Sequence, residues 1–204
     1  MSYKDETIAN YNAHAELYCE RNEDYIESFL KDDVEIFLSR LRGNRILDLG
    51  CGPGRDMSYF KGKGFQTIGI DLADNMLKIC RRRGLDAAKM DFECMGFKPE
   101  SFDGVWAYLS VLRLIPKNRT VPVLREIRQV LKSSGIAYFG TIEGTYEGMM
   151  EDALYPRTRR WTSEYAEDEM REMLLSIFRV EYFSRVVTPR DSKPISYIHF
   201  LCTK

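Results

Sequence analysis

The chain has 204 residues, 44% hydrophobic and 30% charged, which is enough for one domain with a buried core. A net charge of -1 argues against a protein that holds nucleic acid through a bulk basic surface. Five scattered cysteines without a CxxC pair, and only two histidines, favour a reducing compartment without a structural zinc site. Since the sequence shows neither an apolar leader nor a transmembrane-length apolar run, we expect a cytoplasmic protein that does not enter a membrane.

The first forty residues have a helical pattern. Between Tyr25 and Leu41, apolar residues recur every three or four positions, which is the stripe of an amphipathic helix. Beyond Gly43, short apolar strands alternate with helices. The predicted strands are 45–49, 65–70, 86–90, 102–109, 135–142, 179–188 and 195–203. The predicted helices between them run from the glycine turn to about 61, then over 73–83, 119–131 and 164–178, with an irregular stretch at 143–161.

This alternation predicts an α/β fold whose mostly parallel sheet is covered by helices on both faces. The segment from Pro189 to Pro194 suits a hairpin, so the last strand should run antiparallel to its neighbour. We interpret 1–42 as an N-terminal helical cap and 43–204 as the core of a single domain. Ligands bind such sheets beyond the carboxyl ends of the strands, where the strand order reverses. A site is therefore expected where the first four strands end.

A glycine-rich run, DLGCGPGRD from Asp48 to Asp56, follows the first predicted strand. Its glycines let the main chain turn sharply and let a ligand approach closely. The helix that follows offers free N–H groups and a partial positive charge. The run is not the dinucleotide fingerprint GxGxxG. When the pattern is counted from Gly50, Arg55 stands where its third glycine would be. A tight strand-to-helix turn without a ligand is the alternative.

Three further strand ends carry candidate groups. Asp71 can accept two hydrogen bonds from a ribose diol, or it can cap the helix that follows. Asp91 could take an adenine amino group while the backbone N–H of Phe92 reaches a ring nitrogen, or this segment could be an ordinary polar loop. After the fourth strand, the backbone of Ala107 or Tyr108 could contact a ligand, or these residues could belong to the core.

Together, the segments 48–56, 69–72 and 102–106 resemble the successive motifs of class I S-adenosylmethionine-dependent methyltransferases. The likeness is to the small methyltransferase-domain type of bacteria and archaea, which 11–18 and the layout of 160–204 resemble as well. The resemblance implies a Rossmann-like, doubly wound seven-stranded sheet, mostly parallel with an antiparallel last strand. It also implies S-adenosylmethionine as the cofactor and S-adenosylhomocysteine as the product.

The resemblance assigns roles to the strand ends. The glycine loop would hold the methionine part of the cofactor, Asp71 the ribose, and Met76 would pack near the adenine, which Asp91 and Phe92 would read. Residues after the fourth strand would line the methionine and the methyl group. No metal ligand is expected. The expected cofactor-binding residues are Tyr18, Asp48, Gly50, Cys51, Gly52, Arg55, Asp71, Leu72, Met76, Asp91, Phe92, Ala107 and Tyr108.

Candidates for the acceptor side come from flanking segments. His14, with Tyr11 and Tyr18 on related helical faces, could form a lid over the methionine end. Alternatively, His14 is solvent-exposed and the tyrosines are packing residues. Tyr146 lies in a glycine-rich stretch that could meet the acceptor or form a flexible loop. His14, Tyr11 and Tyr146 are therefore the catalytic candidates.

Arginines also bear on the acceptor. Arg157, Arg159 and Arg160 could hold a carboxylate or phosphate of the substrate, or pair with the acidic residues of the next predicted helix. Arg113 stands near the expected acceptor side, at a position where relatives often carry histidine. Because of this difference, the substrates of those relatives are not carried over to this chain.

The sequence thus predicts an enzyme that transfers a methyl group from S-adenosylmethionine to a small-molecule acceptor, with nucleic acid not expected as a partner. One alternative is methylation of the wobble uridine of transfer RNA, which the near-neutral charge disfavours. Another is a non-catalytic subunit that binds S-adenosylmethionine. A nicotinamide-dependent oxidoreductase is disfavoured by Arg55 and by the closing hairpin.

Overall fold

The structure is a computed structural model that describes residues 1–152, 155–188 and 194–204. The helices are α1 (Tyr3–Ala13), α2 (Ala15–Arg21), α3 (Lys31–Arg40, preceded by a π-helical turn at Ile26–Leu30), α4 (Arg55–Gly62), α5 (Asp74–Arg82), α6 (Lys117–Val130) and α7 (Glu167–Leu175). The strands are β1 (Arg45–Leu49), β2 (Gln66–Asp71), β3 (Asp86–Lys89), β4 (Phe102–Tyr108), β5 (Leu131–Ile142), β6 (Glu147–Glu151), β7 (Arg159–Ser163), β8 (Arg179–Thr188) and β9 (Ile195–Thr203).

Seven strands form one sheet in the order β3-β2-β1-β4-β5-β9-β8. The first five of these pair in parallel, and β9 runs antiparallel to both β5 and β8. The predicted fold class, a mostly parallel doubly wound sheet with an antiparallel last strand, is confirmed. The strand order reverses between β1 and β4, so a crevice opens beyond their carboxyl ends.

Two stretches differ from the prediction. β5 begins at Leu131, four positions before the expected start, because Leu131 pairs with Phe102 before the register shifts. The stretch 143–161, expected to be irregular, contains β6 and most of β7, which pair antiparallel as a separate two-stranded sheet. The predicted hairpin connection at 189–194 lies, apart from Pro194, outside the described residues.

The strands of the main sheet send alternate side chains into two apolar clusters. Val105 and Ala107 of β4 face the cluster that α6 and α7 cover. Trp106 and Tyr108 face the opposite cluster, which α3 and the π-helical turn cover. On that face the Trp106 ring stacks on Tyr138 with centroids 4.1 Å apart. All seven residues of β4 are buried, as expected for a central strand with helices on both faces.

The N-terminal helix α1 is fixed over the carboxyl ends of the strands by polar contacts on two sides. The Thr7 hydroxyl accepts a hydrogen bond from the backbone N–H of Trp161 in β7, at 2.8 Å. Asn12 accepts one from the backbone N–H of Asn75 in α5, also at 2.8 Å. The N-terminal helices therefore form a roof over the crevice, while the proposed boundary between cap and core at residue 42 stays a prediction. Within the described ranges, no helix is both long and apolar enough to cross a membrane.

Candidate functional site

A cleft lies beyond the carboxyl ends of β1, β2 and β4, under the roof of α1 and α2. Its volume is about 780 Å³ when the space at its open mouth is included. The strand ends that the sequence singles out meet in this one place. The predicted residues that line it are Tyr11, Tyr18, Gly50, Gly52, Asp71, Leu72, Met76, Asp91, Phe92 and Tyr108.

The glycine loop is folded back against the end of β2. The backbone N–H groups of Gly50 and Cys51 both donate to the carbonyl of Ile70, at 2.8 and 3.0 Å. Gly50 has φ +69°, and a Cβ there would lie 2.6 Å from the Cβ of Ser110. The backbone conformation and the lack of space therefore both exclude a side chain. At Gly52 (φ +53°) a Cβ would meet nothing within 4 Å. The main chain at Gly52 is thus bare toward open space, where a ligand can approach it.

Asp71 joins this loop to the end of β2. Its Oδ2 accepts a hydrogen bond from the N–H of Gly52 at 2.9 Å, and its Oδ1 accepts one from the N–H of Ala73 at 2.8 Å. Burial raises the pKa of Asp71, and the backbone donors oppose that shift. Each carboxylate oxygen keeps a second lone pair for a ligand. The helix-cap alternative therefore coexists with ligand binding, since Asp71 contacts the start of α5 and also lines the cleft.

One end of the cleft has an apolar wall beside a carboxylate. Leu72, Met76, Met90 and Phe92 line this end, and Asp91 lies next to Phe92. The Met76 side chain is 1% exposed, so it is fixed by packing rather than free in solvent. A flat heteroaromatic ring that carries an amino group suits such a wall, with the ring on the apolar side chains and the amino group on the carboxylate.

Lys4 of α1 holds the roof down at this end. Its Nζ lies 2.6 Å from Oδ2 of Asp91 and also forms an ion pair with Glu93. Arg119 of α6 adds a contact to Glu93 at 2.7 Å. The adenine-reading role predicted for Asp91 stays a prediction, because its Oδ2 already contacts Lys4. Burial lowers the pKa of Lys4, but the hydrogen bonds that its Nζ donates to Asp91 and Glu93 outweigh burial and raise it, so Lys4 is charged at neutral pH.

An adjoining opening runs along the glycine loop into the same cleft, and Cys51 and Arg55 border it. The guanidinium of Arg55 contacts the carboxylate of Asp56, with its Nε 2.5 Å from Oδ1. Trp106 Nε1 donates to Oδ2 of Asp56 at 2.8 Å, so the first turn of α4 is tied to β4. Arg55 also lies over the ring of Tyr25, 5.0 Å from its centroid. Arg55 is therefore held as a fixed positive wall of the opening.

Two buried acceptor atoms lie next to the glycine loop without a partner among the described residues. Asp48 is 3% exposed and its Oδ2 makes no hydrogen bond; the hydroxyl of Ser110 likewise makes none. Burial, together with the charge of Asp56, raises the pKa of Asp48 well above its usual value. Buried polar atoms are normally satisfied, so these two indicate a place where a bound molecule or water supplies donors.

The tyrosines of the cleft are neutral donors rather than bases. Burial raises the pKa of Tyr18 and of Tyr108 well above the ordinary phenol value, and it raises the pKa of Tyr25 to about 12. The hydroxyls of Tyr25 and Tyr108 are hydrogen-bonded to each other at 2.9 Å. At neutral pH these side chains therefore stay protonated and form a polar, uncharged wall.

Several predicted residues are not brought into the cleft. His14 sits between α1 and α2, where its Nδ1 contacts the carbonyl of Asn10 at 2.9 Å and its ring stacks on Tyr155. Tyr146 is 39% exposed at the start of the β6–β7 hairpin. Ala107 is fully buried in β4, and its side chain belongs to the core. Of the catalytic candidates, Tyr11 alone lines the cleft.

Sequence reasoning missed the part of α1 that lines the cleft. Lys4, Thr7 and Ile8 line it together with the predicted Tyr11. Their spacing of three, four and seven positions, the signature of one helical face, could have identified them once Tyr11 was singled out. Leu109, with φ +52°, also lines the cleft. A positive φ at a leucine depends on tertiary packing, so the sequence carried no signal for it.

Arg113 is a charged residue that is buried close to the cleft. It follows β4 by five positions, and its side chain is buried with Nη1 lacking any hydrogen-bond partner among the described residues. Its backbone carbonyl accepts a hydrogen bond from the N–H of Ser163, at 2.8 Å. Of the arginine cluster at 157–160, Arg160 pairs with Asp152 (2.8 Å), and its Nη1 donates to the Tyr11 hydroxyl at 3.4 Å.

Residues 46–135 match the methyltransferase domain family. A ubiquinone biosynthesis O-methyltransferase of Idiomarina loihiensis is 29% identical over 116 residues, which are 53% of this chain and 46% of that protein. The chain thus spans about half the length of this curated relative.

Solved structures share the fold over most of the chain. A methyltransferase dependent on S-adenosylmethionine from Methanosarcina mazei superposes with a TM-score of 0.74 at 17% identity, covering 83% of this chain and 96% of its own. The 1,6-didemethyltoxoflavin N1-methyltransferase of Burkholderia thailandensis, solved with that compound and S-adenosylhomocysteine, has a TM-score of 0.64 at 20% identity. The match covers 93% of this chain and 89% of that one.

Proposed function

We propose that this chain, a class I S-adenosylmethionine-dependent methyltransferase by its fold and its matched domain, transfers a methyl group to a small-molecule acceptor. The observation that carries the proposal is the junction of Asp71 with the bare main chain of Gly52 on the cleft wall. A carboxylate fixed there by backbone donors keeps lone pairs for a ribose diol, and the space above Gly52 admits the rest of the ligand.

The residues present fit the cofactor at each end. Asp71 would hold the ribose, Met76 and Phe92 would contact the adenine, and the glycine loop with Asp48 would receive the methionine part. The unpartnered Oδ2 of Asp48 suits an ammonium group, directly or through water. When bound, S-adenosylmethionine supplies a methyl group on a sulfonium, which an acceptor lone pair displaces so that the C–S electron pair returns to sulfur.

The protein's own contribution is position and exclusion of water. The roof formed by α1 and α2 covers the cleft and limits side reactions with solvent. Tyr18, Tyr108 and Tyr25 are neutral phenols, so they orient an acceptor by hydrogen bonding rather than by removing its proton. An acceptor that is already nucleophilic, or one that loses its proton to solvent, is therefore the best match.

A small acceptor is favoured over a macromolecule. The cleft lies beneath helices instead of opening onto a broad face, and the net charge of -1 offers little attraction to phosphate backbones. The matched relative is named for ubiquinone biosynthesis, and one fold neighbour is solved with a small heterocycle. The cytoplasmic location expected from the sequence stays a prediction.

Calorimetric titration of the purified chain with S-adenosylhomocysteine tests the cofactor assignment. We expect binding in the micromolar range, with NAD giving no comparable heat. Absence of binding by a folded sample would overturn the proposal. Transfer of labelled methyl groups to small molecules then tests the reaction. Binding without transfer to any acceptor would indicate a cofactor-binding subunit, and tight, salt-sensitive retention of bulk transfer RNA in a gel shift would indicate the nucleic-acid alternative.

Replacing Lys4 with alanine should loosen the roof without removing the site. The change removes the contacts with Asp91 and Glu93, which are partly exposed and therefore worth about 0.2–1 kcal/mol. We expect S-adenosylhomocysteine to dissociate up to about fivefold faster. Stopped-flow displacement measures the rate, and Lys31→Ala, which removes an exposed ion pair with Glu27, is the control. Equal dissociation rates in the Lys4 variant and the wild type would show that the ion pairs of Lys4 do not hold the roof over the cleft.

A further inference from the structure

A buried guanidinium without a partner lies beside the cleft. Arg113 is 6% exposed, and its Nη1 makes no hydrogen bond with any described residue. Among those residues no carboxylate forms a salt bridge with it. A buried, unpaired charge is strongly unfavourable, so a folded protein keeps one only where something else supplies the missing partner. The backbone contact between Arg113 and Ser163 fixes the residue at this position, between the turn after β4 and the end of β7.

A second positive charge is near enough to act on the first. Burial, followed by the charge of Arg160, lowers the pKa of Arg113 to about 10. Arg160 is itself largely buried, and although its Nε contacts Asp152, its Nη1 points to the hydroxyl of Tyr11. Tyr11, Tyr197 and Glu164 oppose this shift but do not outweigh it. This pair of guanidinium groups therefore carries uncompensated positive charge in the folded protein.

The two arginines lie behind residues that line the cleft, on the side away from Asp71. Tyr11 lines the cleft, its hydroxyl accepts a hydrogen bond from Arg160, and it is near enough to Arg113 to affect the pKa of that group. Two further cleft residues, Leu114 and Ile115, directly follow Arg113 in the chain. In the sheet, β2 with Asp71 lies on one side of β1 and β4 lies on the other. The positive charge is thus placed where a second molecule would meet the cofactor, not where the cofactor's ribose would bind.

We propose that the methyl acceptor carries an oxyanion, a carboxylate or a phosphate, which binds between Arg113 and Arg160 next to Tyr11. This inference rests on the proposed function and names its substrate class. A guanidinium donates two parallel hydrogen bonds to a carboxylate or phosphate, which gives Nη1 of Arg113 the partner it lacks. The anion also screens the two arginines from each other, so that binding relieves the repulsion between them.

The first experiment measures anion binding to the complex with S-adenosylhomocysteine. Benzoate and phenyl phosphate are the anionic probes, and benzamide is the neutral probe of the same shape. We expect benzoate or phenyl phosphate, but not benzamide, to raise the melting temperature, and the response of the two anions separates carboxylate from phosphate. In Arg113→Gln the increase should vanish, whereas Arg179→Gln, at an arginine 80% exposed, should keep it. An unchanged response in Arg113→Gln, or equal responses to benzamide and the anions, would overturn the proposal.

The variant also separates this proposal from a structural role and from the proposed function. Arg113→Gln should bind S-adenosylhomocysteine as the wild type does and should melt at the same or a higher temperature, because it removes an unpaired buried charge. A clear fall in melting temperature would mean that Arg113 supports the fold. Failure of the wild type to bind S-adenosylhomocysteine would count against the proposed function instead.

The second experiment measures turnover. Small molecules from a cell extract are separated at neutral pH into anionic, neutral and cationic fractions and incubated with the enzyme and methyl-labelled cofactor. We expect label to enter the anionic fraction, with Arg113→Gln about 10- to 100-fold less active there, mainly through a higher KM. Arg113→Lys should restore part of this loss, because it returns the charge without the planar fork. Label confined to the neutral or cationic fraction would overturn the proposal while leaving methyl transfer established.

Discussion

Asp71→Ala should weaken binding of S-adenosylhomocysteine by about 100-fold or more. In the proposed complex the substitution would remove two hydrogen bonds from the ribose diol to a charged acceptor, each worth about 1.5–3 kcal/mol, and about 1.4 kcal/mol corresponds to a factor of ten. It also frees the N–H of Gly52 from Oδ2 of Asp71, so the glycine loop loses an anchor. Calorimetric titration of the variant against the wild type measures the effect.

Two controls make this result specific. Asp71→Asn keeps one acceptor oxygen of similar shape and should lose less affinity than the alanine variant. Asp74→Ala removes a carboxylate three positions away that forms an exposed pair with Lys89, and it should bind as the wild type does. Wild-type affinity in a correctly folded Asp71→Ala would show that the carboxylate does not hold the ribose.

The raised pKa of Asp71 predicts a pH dependence with a definite sign. Burial raises this pKa, so the carboxyl takes up a proton at a higher pH than an ordinary aspartate, whose pKa is about 3.9. The ribose diol needs the charged form as acceptor. Affinity should therefore fall as the pH drops through the raised value, and binding in that range should release a proton. Titrations in buffers of different ionisation enthalpy detect the proton, and Asp71→Asn should release none.

The sequence predicts the cofactor side of the cleft better than the acceptor side because its determinants are local. Gly50, Gly52 and Asp71 lie at strand ends, where the strand pattern and the glycine spacing fix their place. Pairing of β1 with β2, which follow each other in the chain, then brings Gly52 and Asp71 together. The glycine at position 50 also indicates a sharp turn of the main chain. In the structure Gly50 has a positive φ and lies against Ser110, which only glycine tolerates.

The acceptor side depends on contacts between distant segments. β6 and β7 form a hairpin that docks on α1 through Thr7 and Trp161, 154 positions apart, so local patterning could not predict its strands. The same docking buries Arg160 and brings it to Tyr11. The sequence marks Arg113 only as a departure from the family pattern near the expected acceptor side. Its importance becomes visible only when burial and the lack of a partner are known.

Asp33→Ala should lower the free energy of unfolding by about 1–3 kcal/mol at neutral pH, the usual cost of leaving buried hydrogen-bonding groups without their partner. Asp33 of α3 is 4% exposed. Its Oδ1 accepts a hydrogen bond from the hydroxyl of Ser184 at 2.7 Å, and its Oδ2 lies 3.2 Å from Nδ1 of His199. The contact fastens α3 to β8 and β9. Asp32→Ala, at an exposed carboxylate on the same helix, is the control and should change little.

The acid dependence of this effect identifies its origin. Burial alone would raise the pKa of Asp33, but the contacts with His199 and Ser184 outweigh burial and lower it. A carboxyl with a lowered folded-state pKa contributes stability that is present above its unfolded value, about 3.9, and is lost as the pH falls through the folded value. The difference between wild type and Asp33→Ala in urea unfolding should thus shrink as the pH falls below about 4. A difference that persists unchanged in acid would assign the effect to packing and not to the charge of the carboxylate.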